Sequence, residues 1–481
     1  MNAADERYDF LVVGGGPAGL AAAAEARALG LTVALVDERP TLGGQIYKQP
    51  GEGFVVRDHA ALGHDHLVGR ALIDAAEHGG ARIFTRTSVL TVRDDAVVAL
   101  REGERARTVR ASRILLAPGA HDRPVVFPGW TLPGVLTAGG AQTLVKTQRV
   151  LPGRTVLFAG SGPLALAFPA QLHGYGVNVV LALEAGPPPA ARDLAALALA
   201  APGNTRLLVD GLRYRAALLR GHVPLRYRRI VVRAEGHGRL EAVVHAAVDD
   251  AWRVVPGTEE RVEVDTLCVG YGFFPSVELM RVAGCALDYD EDLGGPVAVV
   301  DEWMRTTAPR VSAAGDGTGV AGSVVAVDQG RLAAVGAARD LGTLSPSDAD
   351  ARAKPLRRRL RRKVAFRRAL DRMYHVGAGV YELSTPETVV CRCEEVRRSV
   401  IDRAVDTTDD VNVIKSYTRA GMGLCQGRYC QRHIASLVAA RHGQVLGELR
   451  YATARSPVRP VPIAAMADVQ AQDGGFFTRD D

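Results

Sequence analysis

The stretch DFLVVGGGPAGLAAAAEARALGLTVALVDERP, residues 9–40, contains an apolar run, a glycine cluster, an alanine-rich run and a second apolar run. This order predicts a strand, a tight turn, a helix and a second strand, which is the βαβ unit that binds dinucleotides. The spacing G-x-G-x-x-G is supplied by Gly14, Gly16 and Gly19. These glycines permit the turn, the approach of a pyrophosphate and close packing of the helix on the sheet. Asp37 ends the second run and suits the two hydroxyls of an adenosine ribose.

Three later stretches indicate which nucleotide binds there. They are TLGGQIY (41–47), RILLAPGAHDRP (113–124) and the segment that begins RVSAAGDG at position 310. With the first motif, they resemble flavoproteins with two dinucleotide-binding domains, the glutathione-reductase-like class. The resemblance implies an α/β fold and FAD contacts at Gly44, Gln45, Gly119, Gly315 and Asp316. It also implies a helix, from about Val327, whose positive N-terminus faces the flavin ring.

A second fingerprint, GRTVLFAGSGPLALAFPAQLHGYGVNVVLALEAG, spans residues 153–186. Gly160 and Gly162 keep the first two glycines, Ala165 takes the third position and Glu184 ends the next strand. In two-domain flavoproteins this unit binds NAD(P)H, and a carboxylate at Glu184 favours NAD because it repels a 2′-phosphate. The alternative is a retained scaffold that binds nothing. Neither nucleotide-binding half contains a close cysteine pair, which argues against a disulfide reductase.

Four of the six cysteines lie within forty residues near the C-terminus. Their spacing is Cys-x-Cys, 31 residues, then Cys-x4-Cys, and they are Cys391, Cys393, Cys425 and Cys430. Structural zinc usually uses pairs separated by two to four residues, whereas four thiolates also hold a [2Fe–2S] cluster. The spacing therefore predicts a metal centre and leaves both metals open.

The residues around these cysteines, VVCRCEEV and KSYTRAGMGLCQGRYC, resemble the small helical iron–sulfur domain of the bacterioferritin-associated-ferredoxin-like class. The resemblance implies a [2Fe–2S] cluster. Nearby glycines let the backbone curl around such a cluster, and they are Gly421, Gly423 and Gly427. Three cations offset its negative charge and are expected to raise its potential: Lys415, Arg419 and Arg428.

Charge is concentrated in one segment. Residues 352–372 hold eleven Arg or Lys and one Asp, a net +10, so the rest of the +6 chain sums to −4. Leu356, Leu360, Val364 and Leu370 predict an amphipathic helix here, with Phe366 and Met373 beside them. Its functions could be docking of an acidic partner, a phosphate site or contact with an anionic membrane; the alternative is a solvated linker. Nucleic-acid binding is not expected, since only 5% of residues are aromatic and no binding module is recognised.

The combined motifs, in one order from about residue 7 to residue 467, resemble the α-type subunit of heteromeric amine and amino-acid dehydrogenases. This family includes one of the subunits of hydrogen cyanide synthase (HcnB), the A-type subunit of opine oxidase and the α-type subunit of hydroxyproline dehydrogenase. The resemblance implies a β-type FAD-containing subunit that oxidises a C–N bond, and an electron acceptor such as a quinone. It also implies FMN at a subunit interface in some members, and NAD or ATP in place of FAD in others.

The expected protein is cytoplasmic, with peripheral contact at the inner face of the membrane as a further expectation, because neither an 18-residue apolar run nor a signal peptide is seen. No catalytic acid–base pair or nucleophile is assigned; His121 and Lys146 are each a ring neighbour or a structural residue. The main alternatives are a stand-alone NADH-dependent flavin–iron–sulfur reductase and a non-enzymatic scaffold. The expected organisation is an FAD domain (1–120 with 296–345), a second nucleotide-binding-like domain (121–295), a basic linker (346–380), a cluster domain (381–455) and an extended tail (456–481).

Overall fold

The computed structural model describes residues 6–93 and 96–473. Its N-terminal part forms a sheet with two covering helices. The elements are β1 (Arg7–Val13), α1 (Pro17–Ala28), β2 (Val33–Val36), α2 (His64–His78), β3 (Arg82–Phe84), β4 (Thr87–Val92), β5 (Val97–Glu102) and β6 (Arg105–Leu116). The sheet order is β3-β2-β1-β6-β5-β4, parallel from β3 to β6 and antiparallel from β6 to β4. The crevice at the carboxyl ends of parallel strands is where such folds bind ligands.

A second nucleotide-binding-like fold follows. Its elements are β7 (Ala120–Asp122), β8 (Val135–Thr137), α3 (Ala138–Lys146), β9 (Thr155–Gly160), α4 (Leu164–Gly174), β10 (Asn178–Glu184), α5 (Ala191–Ala200), α6 (Thr205–Arg220), β11 (Leu225–Tyr227), β12 (Arg229–Glu235), β13 (Ala242–Ala247), β14 (Glu260–Glu263), β15 (Thr266–Gly270) and β16 (Phe273–Pro275). A parallel sheet has the order β11-β10-β9-β15-β8, and β12-β13-β14 form an antiparallel meander. β7 pairs with β16, so the two chain crossings between the folds are hydrogen-bonded together.

The chain then returns to the first sheet. This part comprises α7 (Glu278–Val282), β17 (Leu287–Asp290), β18 (Gly295–Ala298), β19 (Val311–Ala313) and α8 (Ser323–Asp340). β19 pairs in parallel with β6. α8 begins at Ser323, four residues before the expected Val327, because Gly322 has φ +88° and interrupts the chain immediately before it. α8 crosses α1 closely: a Cβ at Gly330 would lie 2.0 Å from the Ala18 carbonyl oxygen.

The basic segment forms one helix, α9 (Pro346–Met373). The Ser345 side chain caps it by accepting from the Asp348 N–H at 3.2 Å, as expected for serine at an N-cap. Leu356 and Phe366 are buried as the amphipathic pattern predicts, whereas Val364 is 38% exposed. α9 packs along α8 and then against α5, so this helix joins the first fold to the second.

The cysteine-rich part is small and mostly helical. Its elements are β20 (Val389–Cys391), β21 (Val396–Arg397), α10 (Arg398–Val405), α11 (Val411–Thr418) and α12 (Gln431–His442). Its apolar side chains share one core with the second fold, in which Ile401 and Ile434 lie with Leu183 and Val231. The Trp130 indole donates to the Val389 carbonyl at 2.6 Å across the same boundary.

The tail differs from the expected extended arm. Residues Ile463–Asp473 form helix α13, and residues 474–481 lie outside the described part. Ala465 and Val469 are buried against the β4–β6 side of the first sheet. Asp468 accepts from the Arg105 Nε at 2.8 Å. The prolines stop just before a run of good helix formers, and proline is tolerated at a helix start, so a helix is compatible with this composition.

Candidate functional site

The first glycine turn is held by close contacts at the end of β1. Gly14 has φ +106°, and a Cβ there would lie 2.2 Å from the Ala117 carbonyl oxygen. A Cβ at Gly19 would lie 1.8 Å from the Gly14 carbonyl oxygen. Side chains are therefore excluded at both positions, as the fingerprint predicts.

Gly16 is the N-cap of α1 and leaves the helix N-terminus open. No side chain caps the first turn of α1, and Pro17 occupies the position at which a missing N–H does no harm. The free N–H groups and the helix dipole make this end suited to an anion such as a pyrophosphate.

The other predicted first-site residues converge on this turn. The Asp37 carboxylate accepts from the Gly15 N–H at 2.6 Å and from the Arg39 N–H at 2.7 Å, and burial raises its pKa. A Cβ at Gly44 would lie 2.8 Å from the Gly16 Cα, so the GGQ loop touches the turn. The Gln45 side chain accepts from the buried Lys48, whose pKa is lowered to about 7 by burial.

The Gly-Asp stretch reaches the same place from the opposite end of the sequence. A Cβ at Gly315 would lie 3.3 Å from the Ala18 Cβ, and the Gly315 N–H donates to the Gln329 side chain on α8 at 2.8 Å. Asp316 follows in a short 3₁₀ turn, and burial raises its pKa to about 6. Gly119 has φ +75° and its carbonyl accepts from the Ser276 N–H at 3.0 Å.

These residues fit FAD. The cradle combines glycine backbone at the pyrophosphate position, an uncapped helix N-terminus and two carboxyl groups, Asp37 and Asp316, at its two ends. A bulky dinucleotide needs this closeness of backbone, which side chains would fill.

The second glycine turn is built alike but is covered. A Cβ at Gly160 would lie 2.2 Å from the Gly270 carbonyl oxygen, and Gly162 has φ +88°. Glu184 is 2% exposed; its carboxylate accepts from the Gly162 N–H at 3.0 Å and the Gly186 N–H at 2.8 Å. Burial raises the pKa of Glu184 to about 7.

The cover comes from the end of the basic helix. A Cβ at Gly162 would lie 4.0 Å from the Tyr374 Cβ, and one at Gly186 would lie 3.8 Å from the Met373 carbonyl oxygen. Burial raises the pKa of the Tyr374 hydroxyl, and the nearby Glu184 adds to this effect. The linker thus lies where a nucleotide would approach this turn.

The four predicted cysteines are brought together as two pairs. Cys391 is in contact with Cys430, and Cys393 with Cys425. The Cys430 thiol beside it lowers the pKa of Cys391 to about 6, while the Cys391 contact raises the pKa of Cys430 well above its usual value. Across residues 6–93 and 96–473, no group of three or more His, Cys, Asp or Glu side chains is arranged around a point for a single ion.

Backbone N–H groups surround the thiols. Those of Gly421, Glu394 and Cys393 favour the thiolate of Cys391. Burial raises the pKa of Cys425, and the N–H groups of Tyr429 and Gly427 act in the opposite direction as donors to its sulfur. Two pairs of thiols with peptide donors fit a cluster of two irons, each held by two cysteines, better than one tetrahedral zinc ion.

Glycine is required at this loop for space. A Cβ at Gly423 would lie 2.3 Å from the Cys393 Cβ, and Gly421 and Gly427 have φ of +92° and +84°. Of the predicted cations, Arg428 donates to the Cys425 carbonyl at 3.0 Å, and Arg419 pairs with Glu394 at 3.0 Å. Lys415 interacts electrostatically with Cys430.

A buried charge network behind Cys430 was missed from the sequence. Arg432, 2% exposed on α12, donates to the Tyr381 and Tyr451 hydroxyls at 3.1 Å each and also bonds Tyr289 and Glu291. Arg123 donates to Glu291 at 2.9 Å. These partners come from four distant segments, so local patterns give no signal beyond the position of Arg432 next to a ligand.

An open cavity of about 1150 Å³ lies between the cysteine-rich part and the first fold. Its lining includes His121, Tyr289, Lys415, Arg428 and Arg455. Cys393 lies in the exposed wall of a smaller depression of about 490 Å³. No helix in the described part of the chain is apolar over a length sufficient to cross a bilayer.

Two family profiles match the chain. Pyridine nucleotide-disulphide oxidoreductase matches residues 8–201 and 213–339, and the sarcosine oxidase A3 domain matches residues 386–469. The first covers both nucleotide-binding folds, and the second covers the cysteine-rich part and most of the tail helix. The flavoprotein fold expected from the sequence is confirmed.

Relatives match along nearly the whole chain. The HcnB subunit of hydrogen cyanide synthase from Pseudomonas aeruginosa is 34% identical over 95% of this chain and 98% of its own length. The A-type subunit of opine oxidase from Agrobacterium tumefaciens is 33% identical over 96% of this chain and 91% of its own length. The crystal structure of L-proline dehydrogenase from P. horikoshii has the same fold, with a TM-score of 0.68, 24% identity, and coverage of 95% of this chain and 79% of that one.

Geometry and relatedness lead to the same conclusion. The first fold offers a dinucleotide cradle, and the profile and relatives are those of flavin-dependent oxidoreductases. The chain is an FAD-dependent oxidoreductase of the pyridine nucleotide-disulphide oxidoreductase family, and within it belongs to the group of the hydrogen cyanide synthase HcnB subunit and the opine oxidase A-type subunit.

Proposed function

We propose that this chain is the electron-transferring flavin and iron–sulfur subunit of a heteromeric dehydrogenase. A partner β-type subunit with its own FAD oxidises the C–N bond of an amino acid, opine or related amine, and this chain passes the electrons onward. The names of the relatives support a subunit role, since each is called a subunit, and one acts on opines. The observation that carries the proposal is the presence in one chain of a flavin cradle and two thiol pairs with peptide donors.

The division of work follows from the residues. The first glycine turn and Asp37 hold the adenosine end of FAD, and the α8 N-terminus lies beside Asp316. The thiolates of Cys391, Cys393, Cys425 and Cys430 hold the [2Fe–2S] cluster. When bound, FAD supplies two-electron acceptance with release in single steps, and the cluster supplies one-electron transfer.

The covered second fold supports electron entry from the partner. Tyr374 and Met373 lie over the turn, and Glu184 is buried. This arrangement opposes the alternative of a stand-alone NADH-dependent reductase, and it equally opposes NAD or ATP at that turn. The second fold then serves as the scaffold on which the cysteine-rich part packs.

The surfaces suit two contacts. The cavity lined by Lys415 and Arg455 is open and cationic at one side, which suits FMN at the interface with the β-type subunit. Cys393 is exposed, so an electron acceptor such as a quinone can approach the cluster there. Along α9, Arg358, Arg361 and Arg362 are exposed with no ion pair in the described part of the chain, which suits peripheral contact with the anionic inner face of a membrane from the cytoplasm.

The test is the absorption and electron paramagnetic resonance (EPR) of the anaerobically purified full chain, with FAD and iron quantified. We expect FAD bands, a broad iron–sulfur shoulder and an EPR signal after dithionite reduction. Cys425→Ser should lose the cluster signal and keep FAD. Cys285→Ser is the matched control, because Cys285 is buried beside Thr306 and apart from the four. Zinc in place of iron, or a cluster retained in Cys425→Ser, would contradict the iron–sulfur assignment.

A further inference from the structure

His121 lies where the first fold meets the cysteine-rich loop. It belongs to β7, two residues after Gly119 of the flavin-side loop, and pairs with Phe274 of β16. Its ring packs near Phe274 and Tyr429, with centroids 5.6 Å and 6.4 Å away. No other described ring is recorded in contact with both the β16 strand and the cysteine loop.

The hydrogen bonds of His121 define its protonation. Nε2 is 3.1 Å from the Arg428 carbonyl oxygen, and Nδ1 is 3.4 Å from the Ser276 Oγ. A carbonyl oxygen only accepts, so Nε2 carries a hydrogen and donates it. Burial lowers the pKa of His121, which leaves the ring neutral, and Nδ1 then accepts from the Ser276 hydroxyl.

The peptide that accepts this bond also faces a cysteine. The carbonyl of the Arg428–Tyr429 peptide accepts from His121, and the N–H of the same peptide is a donor to the Cys425 sulfur. One peptide group therefore lies between the His121 ring and a candidate cluster ligand. Hydrogen bonds in such a chain polarise one another, so donation to the carbonyl strengthens the N–H as a donor.

We propose that His121 is a positioning residue that tunes the cluster through the Arg428–Tyr429 peptide, and that the same bonded path couples the flavin-side loop to the Cys425 sulfur. This rests on the proposed function. Hydrogen bonds to cluster sulfurs stabilise the more negative, reduced cluster and raise its potential. A bonded path also carries electrons better than a gap of the same length.

The experiment is an EPR-monitored redox titration of the full chain, with three variants. His121→Phe keeps a ring and removes both hydrogen bonds. His121→Gln keeps a donor, since the Gln amide nitrogen takes the place of Nε2. Ser276→Ala removes only the bond at Nδ1.

We expect the cluster of His121→Phe to have a lower midpoint potential. At fixed potential the ratio of reduced to oxidised cluster should fall about fivefold, as for the loss of one ordinary hydrogen bond. His121→Gln and Ser276→Ala should stay close to wild type. Photoreduction of the flavin followed by rapid absorption should show slower cluster reduction in His121→Phe alone.

The contrary results are distinct. An unchanged potential and rate in His121→Phe, or an equal fall in His121→Gln, would overturn the inference and leave the proposed function intact. A wild-type chain without an iron–sulfur signal would remove both. If His121→Phe does not take up the cluster, His121→Leu, which also lacks a donor, replaces it, and the comparison with His121→Gln decides in the same way.

Discussion

The two glycine turns of this chain have the same backbone plan and different surroundings. At the first, Gly16 and Asp37 are only partly buried and the α1 N-terminus is open. At the second, the equivalent Gly162 and Glu184 are buried under the end of α9. A fingerprint therefore reports the path of the backbone, whereas access for a nucleotide depends on residues far away in the sequence.

The largest expected effect comes from filling the two turns. Gly14→Ala places a Cβ 2.2 Å from the Ala117 oxygen, and Gly160→Ala places one 2.2 Å from the Gly270 oxygen. Both should lower the free energy of unfolding, by about 3 kcal/mol for Gly14→Ala, which also has positive φ, and by about 2 kcal/mol for Gly160→Ala. Only Gly14→Ala should lose FAD, as measured by the flavin-to-protein ratio. Equal loss of FAD from Gly160→Ala would mean that the two turns do not differ in function.

A pH-dependent effect of similar size is expected at Glu184. Its pKa rises from 4.5 to about 7 on folding because the carboxyl is buried. The folded state then binds the proton more tightly than the unfolded chain, so stability is full at low pH and falls as pH rises from about 4.5 to about 7. Across this range wild type should lose about 3 kcal/mol relative to Glu184→Gln.

The measurement for Glu184 is urea unfolding at about pH 5 and about pH 8. Glu184→Gln also loses one acceptor for the two N–H groups, but that loss is the same at both pH values. Glu263→Gln is the control, since Glu263 is 82% exposed at its side chain. A pH-independent difference between wild type and Glu184→Gln would show that the carboxyl is not held in a covered site.

The attachment of α9 to the first fold is the next test. Asp328 on α8 is 3% exposed at its side chain and pairs with Arg359 at 3.0 Å and Lys363 at 2.5 Å. Asp328→Asn should cost about 2 kcal/mol, below the usual cost of breaking a buried pair because Arg359 is half exposed. Asp350→Asn, which breaks an exposed pair with Arg357 at 3.9 Å, should change the unfolding free energy by about 0.5 kcal/mol or less. Similar losses in both variants would place the anchor elsewhere.

What could be predicted from sequence was local. The turn at Gly14 and the gathering of Cys391 with Cys430 follow from backbone demands and spacing that neighbouring residues state directly. The cover at Gly162 could not be predicted, because Tyr374 lies more than two hundred positions away and its contact depends on how α9 packs. The Arg432 network has the same cause, since each partner is distant in sequence.

The tail shows the opposite error. Its prolines suggested an extended arm, yet Ile463–Asp473 is helical and packs on the first sheet. Proline restricts only its own φ and the residue before it, so the run after Pro462 was free to form a helix once Ala465 and Val469 had an apolar surface to cover.

The smallest expected effect separates the two turns most directly. Tyr374→Ala removes the side chain over Gly162 and should raise the affinity for NAD about tenfold, as measured by calorimetry on the FAD-loaded chain. Tyr417→Ala is the matched control, because Tyr417 is 76% exposed on α11 and far in sequence from the turn. Wild-type FAD should not be bleached by NADH. If wild type binds NAD as tightly as Tyr374→Ala, the cover does not distinguish the second turn from the first. Rapid bleaching by NADH would go further, since electrons would then enter through this chain itself and the stand-alone reductase would replace the partner-fed subunit.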